Sequence, residues 1–199
     1  VIQYVRNKFT EEPIHRLEEA INECSKTREQ NNANTKKGAK KLNETAKEII
    51  KRLESIITKV DMQYQFISDR VAKELLNCSN VHYNWGKDTD SENYLEQSEQ
   101  ITKWANSFAQ SSNVKSKVNK DIQQIKDLKK SKECDPFTDK IIEALEAIPD
   151  LDKINSTAPI SIFITRTQSP LESLMQHDTS IHADYTDLVA KVVIGSAIA

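Results

Sequence analysis

Cys24, Cys78 and Cys134 are the residues of this chain best suited to covalent or metal chemistry. A thiolate is a nucleophile, a soft metal ligand or half of a disulfide. His82, four positions after Cys78, is the one histidine near a cysteine in sequence. A thiol–imidazole pair there would still need an oxyanion hole, and a chain with three glycines in 199 residues has little glycine from which to build one. No Gly-x-Ser-x-Gly, P-loop or Gly-x-Gly-x-x-Gly motif occurs. These observations point away from an enzyme.

The other titratable clusters are weaker. Asp88, Asp90, Glu92 and Glu99 fall at positions 1, 3, 5 and 12 of an EF-hand frame, but Asn93 stands where that loop needs glycine. They read instead as an acidic first turn, favoured by the positive end of a helix. His177 and His182, five apart, do not share a helix face, so they make a poor zinc pair. No metal and no cofactor is expected.

Two groups suit binding. His82, Tyr83 and Trp85 lie in a stretch, 79–89, that reads as a loop, where aromatic side chains anchor an interface or cap a core. Lys36, Lys37, Lys40 and Lys41 head a basic run over 36–52 opposed only by Glu44 and Glu48. Such a run is a solvated face or a site for an anionic partner. It has no interleaved aromatics, which points away from nucleic acid.

The elements that must carry these residues are helical. Glycine and proline are scarce, at 3 and 5 residues, and charged residues reach 29%. Low glycine and many straight-chain residues favour helix. Leu42, Ala46, Ile49, Leu53, Ile56 and Val60 recur at spacings of four and three, with Ile50, Ile57, Tyr64 and Val71 as a parallel row. That pattern predicts one continuous helix over about 35–76, the spine of a bundle. Shorter helices are expected from the Thr10 to Pro13 stretch, from Thr89, after Asn113 and from Asp135-Pro136. Prolines suit the first helical turn, which motivates several of these starts. Residues 160–166, rich in β-branched side chains, read as an extended, non-helical segment, Ser169-Pro170 as a helix start, and 181–194 as a final apolar helix.

The fold class is therefore all-α: an elongated antiparallel helical bundle in a single domain over 1–199, with a core at 34–154 and 155–199 as the extended segment plus C-terminal helix. Between consecutive antiparallel helices, Cys78 and Cys134 reach the same end while Cys24 faces the opposite half. A disulfide, which needs Cα atoms within about 7 Å, is therefore expected between Cys78 and Cys134. Val1 in place of Met points to a removed leader or a fragment. Three sequons, at Asn43, Asn77 and Asn155, permit a glycoprotein. The apolar run 188–199 is too short to span a bilayer core of about 30 Å, so no membrane span is expected. The function that suits this makeup is a non-enzymatic, secreted or surface binding protein that engages another protein through loop ends and helix faces. The alternative is a carrier of a lipid-like or other apolar ligand in a cavity between helices.

Overall fold

A computed structural model describes residues 2–147 and 158–177, with the side chains of 2–7, Leu145 and Ile160 excepted. Six α-helices carry these residues: α1 (Ile2–Gln30), α2 (Thr35–Glu54), α3 (Met62–Asp88), α4 (Tyr94–Phe108), α5 (Ser112–Glu146) and α6 (Ala158–His177), with one 3-10 turn at Asn32–Asn34. No strand occurs among the described residues, and the fold is an all-α helical bundle. The expected C-terminal helix at 181–194 lies outside the described residues.

The single spine expected over 35–76 is two helices. α2 stops at Glu54 and α3 starts at Met62. Ile56, Ile57, Thr58 and Val60 are β-branched, which costs helix propensity. Ser55 turns its hydroxyl back to the Arg52 carbonyl at 2.7 Å, closing the last turn. Asp61 then caps α3, accepting the Gln63 N–H at 2.9 Å. The apolar spacing continues through this corner because Ile57 still reaches the core, while Val60, which the spacing counted as inward, is 80% exposed.

One extra reversal sets the topology. α1 and α2 are antiparallel: Glu12 pairs with Arg52 at 3.3 Å and Glu23 with Lys41 at 2.6 Å. α3 therefore runs parallel to α1, with Thr10 beside Gln63, Glu18 bonded to Arg70 and Cys24 beside Cys78. α4 returns along α3, with Gly86 against Tyr94, Ser79 against Thr102 and Asp69 against Gln110. The core of this unit (Val1–Asp127) joins Leu17 and Ile21 of α1, Leu42, Ile49 and Leu53 of α2, Ile67, Val71 and Leu75 of α3, Ile101 and Phe108 of α4, and Val114 and Val118 of α5. Gly86 permits the tightest approach, since a Cβ there would stand 2.2 Å from Tyr94 Cβ.

In the second unit (Leu128–Ala199), Cys134, Ile141 and Leu174 form a small core with Phe137 and Leu171. Three expected helix starts fall inside helices: Pro13 in α1, Pro136 in α5 and Pro170 in α6. A proline breaks the bond to the carbonyl four residues back. Here those carbonyls belong to Phe9, Lys132 and Arg166, all exposed residues on the outside of their helices. The segment 160–166, expected to be extended, is the first half of α6. With no strand to pair with among the described residues, its carbonyls pair within the helix instead. Phe163, Thr167, Pro170 and Leu174, spaced four, three and four, are buried on one side of the helix.

Candidate functional site

The most chemically distinctive cluster lies between α1 and α3. Cys24 Sγ and Cys78 Sγ are 3.4 Å apart, both buried and both free thiols. Where a Cys78–Cys134 bridge was expected, Cys78 lies beside Cys24, and all three cysteines are free thiols. The break at 55–61 makes α3 parallel to α1, and this brings Cys24 level with Cys78. Cys134 sits in the second unit's core beside Ile141 and Leu174. One turn before Cys78, Glu74 is buried and receives Arg28 Nε at 3.0 Å. The Cys78 thiol lies 3.8 Å from Glu74 Oε1. Its hydrogen bond with Cys24, then burial, then the nearby carboxylate push the Cys78 thiol up, against the pull of Arg28. The ligand atoms of Cys24, Glu74 and Cys78 lie within 4.8 Å of one another. Their chemistry suits a dication poorly, because the Arg28 guanidinium already neutralises the carboxylate and a closed site for such an ion takes four donors.

His82, Tyr83 and Trp85, expected in a loop, lie on the last turns of α3, which runs without a break to Asp88. Val81, Tyr83 and Trp85 are half-buried and His82 is buried, so the stretch continues the helix's core face. His82 Nε2 meets Gln97 Oε1 at 3.0 Å, which places the hydrogen on Nε2. Its Nδ1 is buried with no hydrogen-bond partner. Burial, aided by the charge of Lys36 and opposed by the Gln97 bond, lowers the His82 pKa. Tyr83 lies 5.7 Å from Tyr94 and His82 5.6 Å from Trp85, ring centre to ring centre. The Tyr83–Tyr94 and His82–Gln97 contacts join α3 to α4.

Lys36, Lys37, Lys40 and Lys41 are exposed on α2. Lys41 is held by Glu23 at 2.6 Å and Lys40 reaches Glu44 at 4.0 Å. Lys36 and Lys37, together with Lys47 and Lys51 further along α2, are exposed and make no ion pair among the described residues. Lys36 and Lys37 also stand in the first turn of α2, which carries no acidic residue. There the helix end is itself partly positive.

A second surface was not singled out by residue type. At the α2–α3 corner Val60 is 80% exposed, Met62 84% and Phe66 64%. Met62 and Phe66 are one turn apart on the same side of α3. Phe9, 64% exposed, adjoins Thr10, whose hydroxyl lies 3.5 Å from Gln63. Arg70 sits 5.7 Å over the Phe66 ring. The signal available in the sequence was the failure of Met62 and Phe66 to join the two-row stripe. By contrast, the face a carrier would open, including Leu42, Leu53, Ile67 and Leu75, is packed in the core with α1 and α4.

Of the sequons, Asn77 is exposed on α3, whereas Asn43 is buried in α2, where a glycan would force α2 from its neighbours. Asn155 lies outside the described residues. No helix among the described residues is long and apolar enough to cross a membrane. No protein-family model matches the chain, and neither a curated protein nor a solved structure is found similar to it.

Proposed function

We propose that this chain is a non-enzymatic, extracellular binding protein whose partner is another protein. The contact is made at the α2–α3 corner, through Met62, Phe66, Val60 and Phe9. The observation that carries this reading is the exposure of large apolar side chains at that corner, beside an arginine stacked on one of them. Exposed apolar groups that gather in one place mark interaction surfaces, and aromatic and arginine side chains dominate interface energetics. The partner surface is apolar at its centre and acidic at its edge, matching the unpaired Lys47 and Lys51 on the half of α2 nearest the corner, whose role is steering and orientation.

The test compares partner recovery from the native fluid by the wild-type chain, a Met62→Ser/Phe66→Ser variant and an Ile142→Ser control. Ile142 is an exposed apolar residue of the second unit. Recovery that survives in the control and is lost in the double variant, at unchanged helicity, supports the reading. Equal recovery by all three overturns it. A Lys47→Glu/Lys51→Glu variant then reads the acidic edge as a slower association that added salt no longer slows further.

A further inference from the structure

We propose that Cys24 and Cys78 are the site of an intramolecular disulfide that staples α1 to α3. The two sulfurs are already 3.4 Å apart on parallel helices within the core of the first unit. Bond formation brings them to about 2.05 Å, a closure of the order that small side-chain rotations supply.

Cys24 is only 3% exposed, so oxidation proceeds through a local opening at the groove beside it. Cys24 forms part of the wall of an open groove of about 250 Å³ between α1 and α2, whose rim carries Arg16, Glu19, Glu23, Thr27 and Lys41. Gly38 also lines this groove, and a Cβ there would stand in ordinary contact with Cys24 Sγ, at 3.7 Å. Cys78, behind Cys24, has no opening of its own in that groove. The arrangement assigns distinct roles to the two thiols. The oxidant is a small disulfide such as oxidised glutathione. The Cys24 thiolate attacks one of its sulfurs, breaking that S–S bond and releasing one reduced thiol. The Cys78 thiolate then attacks Cys24 Sγ in the mixed disulfide and expels the second thiolate, which takes up the proton Cys78 gave up. Two protein thiols lose two electrons and two protons, and the small disulfide becomes two thiols.

Arg28 and Glu74 hold the pair in register. The salt bridge crosses between α1 and α3 one turn from the sulfurs, so it fixes the same two helices the staple would join. The elevated Cys78 thiol makes exchange slow at neutral pH and faster as pH rises.

The test uses the full chain, reduced and then incubated with oxidised glutathione, alkylated, and digested without reductant. The expected product links the Cys24 and Cys78 peptides, with a mass lower by two hydrogens and Cys134 recovered as a thiol. Because the bridge closes a loop between residues 54 positions apart, the oxidised chain should melt on the order of 10 °C higher. Cys24→Ser and Cys78→Ser should each abolish the bridge and this rise, while Cys134→Ser leaves both intact. If the serine variants fail to fold, the wild type in its two redox states still carries the comparison. A bridge that includes Cys134 overturns the proposal, as do three retained thiols after prolonged incubation with oxidised glutathione at alkaline pH. Stoichiometric zinc held by the reduced wild type and lost on Cys24→Ser would also overturn it, showing a metal centre instead.

Discussion

The Tyr64 hydroxyl donates to Glu54 Oε1 at 2.7 Å, tying the last residue of α2 to the first turn of α3. This bond closes the corner that divides the expected spine. The phenol holds the Glu54 carboxyl below its usual range, with Lys59 assisting and burial opposing. Burial, then the carboxylate, pushes Tyr64 up to about 12. Tyr64→Phe should cost about 1–2 kcal/mol in urea unfolding at neutral pH. A raised tyrosine stabilises the fold fully below its unfolded value near 10. That part is lost as pH rises from about 10 towards 12. A lowered carboxyl acts above its unfolded value and is lost as pH falls through the folded one. The wild type should therefore lose stability at both extremes faster than the Phe variant; parallel profiles would show that the bond does not hold the corner.

His82 should make the fold sensitive to mild acid. Its neutral form is favoured in the folded chain, because protonation would put an N–H on the buried, partnerless Nδ1. The folded value lies below the unfolded one, near 6.5. This stability is complete above about 6.5 and declines as pH falls towards the lowered value. Urea midpoints at about pH 7.5 and pH 5 should differ more for the wild type than for His82→Gln. An equal drop in both would assign the acid sensitivity elsewhere.

Gly86→Ala should destabilise the α3–α4 contact by about 1–3 kcal/mol. The added methyl would meet Tyr94 Cβ, and a Cβ moves only with its backbone. Gly38→Ala should be milder, because its nearest neighbour is the Thr27 side chain, with the closest atom at 3.2 Å. Thermal melts of the two variants test the order, and a larger loss at Gly38 would contradict the packing described.

Arg28→Met should cost about 3–5 kcal/mol by leaving Glu74 charged and buried. Arg28→Met/Glu74→Met should recover much of that loss, since an apolar pair of similar length fills the same space. A double variant as unstable as the single one would mean the pair contributes more than its own mutual neutralisation.

Helix was legible in the composition and in the spacing of apolar residues, because both follow from the chain's local chemistry. Leu42, Ile49, Leu53, Ile67 and Val71 were readable as core and are core. The break after Glu54 was written in Ser55 and Asp61, but an apolar stripe that continued to Ile57 masked it. The prolines misled for the opposite reason. Whether a proline starts a helix or sits inside one depends on whether the freed carbonyl can reach water, a property of the packed molecule.

For the candidate sites the division is sharper. The exposure of the α2 lysines follows from their place opposite the apolar stripe, and the sequence alone determined it. Neither the burial of His82 nor the exposure of Met62 and Phe66 did, because both depend on which helix lies alongside. The neighbour of Cys78 was decided only by tertiary structure. Residues 54 positions apart meet when the number of reversals between them makes their helices run level, and a single turn at 55–61 changes that number. Local sequence specifies where helices form, while the sum of its turns determines which side chains face each other.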